Sequence, residues 1–461
     1  MAQSLLFKVK RSEPELISPS KPTPHEIKRL SDIDDQQSLR FHVPLIQFYN
    51  YNPIMEGKDP VVVIRKALAK TLVFYYPLAG RLREGPGRKL MVDCTGEGVL
   101  FIEADADVTL KQFGDALHPP FPCLGELIYD VPGSSDVLNT PLLLIQVTRL
   151  KCRGFIFALR FNHTMTDGSG IVQFMSALAE ISQGMRKPSI SPVWCREILS
   201  ARDAPRVTCT HREYEPEPDN KANTFSLDDM VHHAFFFGAT EVAAIRSLLP
   251  PQQQQKYSNF EIITSYFWRC RTLALQLDTN EEVRIICIVD ARSKFVNLLV
   301  PNGYYGNAIA LPAAITTVGK LIENPLTYAL DLVKKAKANV TEEYMHSMAD
   351  LLVIKGRPHF TTANACLVSD VTRAGFRDVD FGWGKAVYGG LARAGDGTNP
   401  GISTIYIPFK NAKGEEGFVI PVFFPTQVIE RLVKELDKVL KNNINSPTMG
   451  DRKSGIINSS L

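Results

Sequence analysis

No apolar run in the sequence reaches the length that a membrane-spanning helix requires, which is about 18 residues. The nearest candidate, residues 304–322, is interrupted by Gly306, Pro312 and Lys320. The apolar stretch Leu5–Phe7 is also far shorter than the hydrophobic region of a secretory signal peptide. We therefore expect a soluble protein that has no membrane partner and is not secreted.

The sequence also lacks the features of a nucleic-acid-binding protein or a metalloprotein. Its 52 basic and 49 acidic residues leave a net charge of only +3, and no long Lys/Arg run is present. A protein that follows phosphate backbones would carry a strong basic excess, so we expect no nucleic-acid partner. The eight cysteines form no Cys-x-x-Cys pair, which predicts reduced, mostly buried thiols with no disulfide and no metal.

The organisation of the chain indicates two domains. A length of 461 residues exceeds what one hydrophobic core usually supports. Residues 187–228 are polar and rich in proline, which is typical of a crossover between domains. We predict an N-terminal domain at 1–186 and a C-terminal domain at 229–445. Residues 446–461 have little to bury and are predicted to form a flexible tail.

Short β-branched and aromatic runs alternate with segments of helical periodicity, which predicts α/β architecture with more than one sheet. The predicted helices are 62–75, 171–182, 260–276, 325–344 and 427–440. The predicted strands are 142–148, 155–161, 231–238, 283–292, 365–369, 402–409 and 417–424.

A candidate general base lies at the turn between the strand 155–161 and the helix 171–182. His163 occupies this turn, where a side chain can be held rigidly while it faces a cleft. An alcohol that attacks a thioester must lose its proton, and a neutral imidazole suits that task near pH 7. A histidine beside an apolar strand is nevertheless often a structural residue, so His163 alone does not decide the function.

Two motifs together supply a second indication. The sequence His163-x-x-x-Asp167-Gly168 is followed about two hundred residues later by Asp-Phe-Gly-Trp-Gly, which begins at Asp380. This pair, in this order, resembles the signature of the BAHD acyl-CoA-dependent acyltransferases of plants. Further family landmarks are resembled, in the usual order, by Asp290–Arg292, Tyr304–Asn307 and Ser369–Arg373.

The resemblance implies two domains of similar size, each a mixed β-sheet flanked by helices, as in chloramphenicol acetyltransferase. An active-site channel would run along the domain interface with His163 at its centre. Asp167 would belong to the catalytic motif yet point away from the substrates and pair with Arg292, which holds the geometry. Asp380 is assigned with the catalytic residues, although its motif is better interpreted as support for the loop beside the CoA channel.

Other implied residues concern the co-substrate. Ser369 and Trp383 are candidates for shaping the channel near CoA. The resemblance implies a monomer without a tightly bound cofactor, which takes acyl-CoA and a small-molecule alcohol as substrates. Transfer would be direct within a ternary complex, because the chain has no Gly-x-Ser-x-Gly elbow and no cysteine in a nucleophile motif.

Finer likeness, in stretches such as residues 14–26 and 75–108, is to the alcohol acyltransferases of fruit and flowers. Within them it is greatest to benzoyl-CoA:benzyl alcohol benzoyltransferases, which predicts benzoyl-CoA as donor. Two alternatives stay open at this point. One is an acetyl-CoA-dependent alcohol acetyltransferase that makes volatile esters, and the other is a non-catalytic, ligand-binding member of the fold.

The last three residues, Ser459-Ser460-Leu461, differ at the middle position from the Ser-Lys-Leu peroxisomal address. They predict weak peroxisomal import, so the expected location is peroxisomal or cytoplasmic.

Overall fold

The computed structural model describes residues 5–114, 117–216, 229–295, 300–393, 401–411 and 413–440. The helices are α1 (Pro60–Phe74), α2 (Leu124–Leu127), α3 (Gly168–Ser182), α4 (Ala239–Arg246), α5 (Asn259–Leu275), α6 (Val318–Glu323), α7 (Leu326–Ala338), α8 (Glu342–Ile354) and α9 (Thr426–Leu440). None of the helices in these ranges is long and apolar enough to cross a membrane.

The strands fall into two large and two small sheets. They are β1 (Val9–Arg11), β2 (Glu15–Ile17), β3 (Ile27–Arg29), β4 (His42–Tyr49), β5 (Arg81–Glu84), β6 (Leu90–Asp93), β7 (Val99–Ala106), β8 (Leu143–Leu150), β9 (Phe155–Asn162), β10 (Met230–Gly238), β11 (Glu282–Cys287), β12 (Val289–Asp290), β13 (Ile309–Ala310), β14 (Ala313–Thr317), β15 (Ala365–Asp370), β16 (Tyr388–Leu391), β17 (Ser403–Lys410) and β18 (Glu416–Pro425). The small sheets are β3-β6-β5 and β12-β13.

The first large sheet has the order β1-β7-β8-β9-β4-β16, and β2 also pairs with β7. It is mixed, because β7 and β8 run parallel whereas the other pairs are antiparallel. The central strand β9 carries apolar side chains at nearly every position, which is typical of a strand covered on both faces. Helices α1 and α3 contribute their apolar faces to the same core.

The second large sheet has the order β10-β18-β17-β15-β11-β14, with β15 parallel to both β11 and β17. Helix α5 is buried along most of its length in this core. It begins with a capping box, in which Ser258 and Glu261 each accept a hydrogen bond from the other's main-chain N–H. Two mixed sheets with flanking helices therefore match the predicted fold class.

The predicted helix 325–344 is wrong, because the chain forms two helices there. Helix α7 ends at Ala338 and α8 begins at Glu342. Thr341 stands between them, and its hydroxyl accepts a hydrogen bond from the main-chain N–H of Tyr344, as an N-cap residue does.

The cysteines also differ from the prediction of mostly buried thiols: four are buried and four are half-buried.

A segment from the C-terminal half crosses back to the first sheet. Strand β16 pairs antiparallel with β4, with Tyr388 opposite Phe48. Gly389 is required at this crossing, because an added Cβ would lie 2.6 Å from the main-chain oxygen of Phe376. The predicted boundaries at 186 and 229 did not include this return of the chain to the first sheet, and they stay a prediction.

The described part of the predicted crossover, residues 187–216, packs against both halves of the chain. Arg196 is only 1% exposed and pairs with Asp34 of the N-terminal half. Val193 forms an isolated bridge with Tyr304, and Arg202 pairs with Asp350 of α8. Residues 217–228 and the predicted tail lie outside the described ranges.

Candidate functional site

His163 follows the last residue of β9 and precedes α3, so both elements determine its position. Its main-chain N–H donates to the carbonyl of Phe41, at a distance of 2.9 Å. The ring lies between Phe41 and Phe161, whose centroids are 5.4 Å and 5.8 Å from its own. The side chain is half-buried and Nδ1 is sealed from solvent, which leaves Nε2 as the ring nitrogen on the accessible side.

The surroundings of His163 keep its imidazole neutral at pH 7. Burial lowers the pKa of the ring below the ordinary value of 6.5, because charge is disfavoured away from water. The ring's own main-chain carbonyl, the Asp167 charge and the Asn307 side chain act in the opposite direction, but burial outweighs them. A neutral imidazole with an accessible Nε2 can accept a proton from a bound hydroxyl.

Asp167 is directed away from the His163 ring and into the chain behind it. Its carboxylate forms two hydrogen bonds of 2.9 Å with the guanidinium of Arg292. It also accepts from the main-chain N–H groups of Gly170 and Ala308, at 3.0 Å each, and so caps α3. Burial acts to raise the pKa of Asp167, but Arg292 and these hydrogen bonds outweigh it and hold that pKa below its ordinary value.

A second buried network supports the same loop, and our sequence analysis did not identify it. Asp34 is fully buried, and its Oδ1 accepts from Arg196 at 2.8 Å and from the side chain of Asn307 at 2.9 Å. Arg196 donates to the carbonyl of Met165, and Asn307 donates to the carbonyl of His163. Three of residues 32–35 are aspartates, and a carboxylate that becomes buried on folding requires a partner. This segment was therefore the available signal for a buried polar network.

The structure does not bring Asp380 to His163. One carboxylate oxygen of Asp380 accepts from the main-chain N–H groups of Gly382 and Gly384, at 2.7 Å and 2.8 Å. No contact in the described ranges joins this side chain to His163. Asp380 therefore stabilises its own turn, and a direct part in proton transfer does not fit its position.

The two residues predicted to contact CoA differ in exposure. Trp383 is 5% exposed and packs against Phe155 in the first core, with ring centroids 5.2 Å apart. Its ring is thus used in packing, because the turn that begins at Asp380 inserts its aromatic residues into that core. Ser369 is half-buried on β15, opposite Ile405 of β17.

The family of the chain follows from comparison with known proteins. The model of the Transferase family, which represents the BAHD acyltransferases, matches residues 7–438. The chain is a member of the BAHD family. The family resemblance carried by the two motifs is thereby confirmed.

Two curated relatives of this BAHD protein are named benzyl alcohol O-benzoyltransferase. The one from Petunia hybrida is 63% identical over 442 residues, covering 96% of each chain. The one from Nicotiana tabacum is 63% identical over 440 residues, covering 95% of each chain. A (Z)-3-hexen-1-ol acetyltransferase from Arabidopsis thaliana is 54% identical over 443 residues, covering 95% of this chain and 96% of the relative.

Solved structures share the fold of this BAHD protein. Vinorine synthase superposes with a TM-score of 0.68 at 20% sequence identity, covering 94% of this chain and 98% of the other. TRI101 of F. graminearum in complex with coenzyme A and deoxynivalenol gives a TM-score of 0.70 at 13% identity, covering 90% and 99%. These similarities confirm the predicted fold class.

Proposed function

We propose that this BAHD protein is an acyl-CoA:alcohol O-acyltransferase in which His163 is the general base. The observation that carries the proposal is the His163 ring, whose lowered pKa and accessible Nε2 suit proton abstraction at neutral pH. Near full-length identity of 63% to benzyl alcohol O-benzoyltransferases supports the same reaction class. A non-catalytic member of the fold would have no need of a base held in this way.

The reaction proceeds directly between the two substrates. Nε2 of His163 takes the proton of the alcohol as its oxygen attacks the thioester carbonyl and forms the new C–O bond. The tetrahedral oxyanion then collapses, the C–S bond breaks, and the thiolate of CoA leaves with the proton that the imidazolium returns. Preorganised hydrogen-bond donors at the oxyanion would lower the barrier further.

For the substrates, we propose benzoyl-CoA as donor and benzyl alcohol as acceptor, with acyl-CoA as a dissociable co-substrate of a monomeric enzyme. The names of the two relatives at 63% identity support this pair. The 54% identity to a (Z)-3-hexen-1-ol acetyltransferase supports the alternative, in which acetyl-CoA is the donor. The two functions need the same base and differ in the volume of the acyl pocket.

Release of free CoA thiol will test the function and the substrates together. Acetyl-, benzoyl-, anthraniloyl- and hydroxycinnamoyl-CoA are each offered with methanol, hexanol or benzyl alcohol, and ester formation is checked by mass. We expect the highest kcat/KM with benzoyl-CoA and benzyl alcohol. A preference for acetyl-CoA would move the assignment to the acetyltransferase alternative, and no thiol release with any pair would contradict the enzyme assignment.

A separate prediction concerns location in the cell. We propose weak peroxisomal import through the C-terminal tripeptide Ser459-Ser460-Leu461, which lies outside the described ranges. A fluorescent protein fused ahead of the intact C-terminus should give a partly punctate signal that coincides with a peroxisomal marker. The matched control deletes the tripeptide and should give a diffuse signal. An equally diffuse signal from the intact fusion would reject import and favour the cytoplasm.

A further inference from the structure

Asn307 lies directly behind the base and is fully buried. Its side-chain nitrogen donates to Oδ1 of Asp34 at 2.9 Å and to the main-chain oxygen of His163 at 2.8 Å. Its main-chain N–H donates to the same Asp34 oxygen at 2.9 Å. Three hydrogen bonds, two from the side-chain amide and one from the main chain, thus hold Asn307 between a buried carboxylate and the catalytic loop.

These contacts determine which way the amide faces. A carboxylate and a main-chain carbonyl are both acceptors, so only the NH₂ group of Asn307 can meet them. Its Oδ1 must therefore face another direction. Within the described part of the chain, this oxygen is sealed from solvent and has no hydrogen-bond partner at standard geometry. Nδ1 of His163 is also sealed from solvent without a partner at standard geometry, and the ring's own main-chain carbonyl lies near enough to act on it as an acceptor.

The two unpartnered atoms belong to neighbouring side chains. Asn307 lies close enough to the imidazole of His163 to raise its pKa, which an acceptor near a ring N–H does. An unpaired buried acceptor is costly, so a small closing movement that joins it to a donor is favoured. The available donor is the N–H of the imidazole at Nδ1.

We propose that Asn307 is a positioning residue that accepts a hydrogen bond from Nδ1–H of His163 and so keeps Nε2 unprotonated. In a neutral imidazole only one nitrogen carries the proton, and the partner of one nitrogen decides the state of the other. Together with the ring's own main-chain carbonyl, Asn307 thereby selects the tautomer that can accept a proton from an alcohol. This inference rests on the proposed role of His163 as the base.

Asp34 and Arg196 give the amide its fixed orientation. Asp34 also accepts from the hydroxyl of Ser31 at 2.6 Å, and its charge is balanced by Arg196. The loop that carries Asn307 runs so close to this guanidinium that a Cβ on Gly306 would lie 1.7 Å from it. The ion pair therefore anchors Asn307, although neither of its members contacts the ring.

The tautomer can be measured in the wild-type protein without any activity assay. Nitrogen-15 NMR of protein labelled in its histidines distinguishes a protonated from an unprotonated ring nitrogen. The His163 signal is assigned by its loss in His163→Ala. We expect Nδ1 to carry the proton and Nε2 to be bare at a pH above the imidazole titration. A proton on Nε2 would overturn the inference, even if the protein proves inactive with every substrate pair.

Kinetics of two variants provide the second test. Asn307→Leu keeps similar volume but cannot accept a hydrogen bond, and we expect kcat to fall roughly 10–100-fold with little change in KM. It should also move the acid limb of the rate profile to lower pH, because an acceptor that favours the charged ring is gone.

In Asn307→Asp the new carboxyl can share a proton with Asp34 and still accept from Nδ1. Its acid limb should move to higher pH, with more activity retained than in the leucine variant.

A matched control separates positioning from stability. Gln146 of β8 is a fully buried residue whose side-chain nitrogen donates to Glu126 and Thr148. It lies opposite Ala158 of β9, four residues before that strand ends at Asn162. Gln146→Leu should lower the melting temperature without moving the pH profile. If Asn307→Leu behaves in the same way, or keeps wild-type kcat and pH dependence, Asn307 is structural and the inference is wrong.

Discussion

Replacement of His163 by alanine is expected to lower kcat for ester formation by about 10²–10⁴, which is the usual contribution of a positioned general base. The fold should be retained, because two hydrogen bonds that hold this residue to its neighbours are made by its main chain. Its N–H donates to Phe41 and its carbonyl accepts from Asn307, and both bonds remain in the variant. The measurement is steady-state release of CoA thiol, together with the melting temperature.

The pH dependence of the same reaction provides a check on the mechanism. Only the neutral ring accepts a proton, so the wild-type rate should rise with pH through the titration of His163. Because burial lowers the pKa of this ring, the rise should be centred below pH 6.5. In His163→Ala the rise should disappear along with the rate.

A control for the histidine substitution is His25→Ala. The His25 side chain is 73% exposed and contacts Asp93 at the surface, so its loss should leave kcat and the pH profile unchanged. A near-normal rate in His163→Ala at neutral pH would contradict base catalysis by this residue. In that case the acyltransferase assignment would need another proton acceptor.

Local patterns predicted most of the elements that surround the site. The helix predicted at 260–276 is α5, Asn259–Leu275, because capping and apolar periodicity both determine a helix locally. The final helix was predicted as 427–440 and begins one residue earlier, at Thr426. The predicted helix 325–344 was wrong because its periodic pattern is continuous across the boundary between two helices. Thr341 caps the second helix, and its hydroxyl alone gave no clear signal in the sequence.

Contacts between distant segments could not be predicted from local patterns. Strand β16 has four residues, two of them glycine, and shows no alternation of apolar and polar positions. The contact between Asp34 and Asn307 joins positions 273 residues apart, so it depends on how both sheets are assembled. The family resemblance predicted the ion pair between Arg292 and Asp167. No resemblance pointed to the Asp34 network, which only the structure showed.

Breaking the ion pair between Asp167 and Arg292 is expected to destabilise the fold strongly, because the Asp167 carboxylate is buried. Asp167→Asn should lower the free energy of unfolding by about 3 kcal/mol, near the lower end for a broken buried pair. The lower end applies because 22% of the Arg292 side chain reaches solvent. Asparagine still caps a helix well, so the bond from Gly170 survives, whereas the NH₂ group that replaces Oδ2 cannot accept from Ala308 or Arg292.

The pH dependence of this contribution has a definite sign. The pKa of Asp167 is lowered in the folded chain, so the pair stabilises the protein at any pH above the ordinary aspartate pKa of about 4. The contribution is lost as the pH falls through the lowered pKa. Asp167→Asn should therefore be less stable than the wild type at pH 7 and approach it in acid.

A double-mutant cycle decides between the two roles open to Asp167. Arg292→Gln should destabilise the fold by a similar amount, and the double variant should lose less than the sum, because its second change removes a charge already left without a partner. Melting temperature and kcat should fall together in both single variants. A different result would assign Asp167 to the catalytic unit with His163. In that case Asp167→Asn would abolish turnover without changing stability, and Arg292→Gln would change neither turnover nor stability. The geometry favours the first result, because Arg292 occupies both oxygens of the carboxylate.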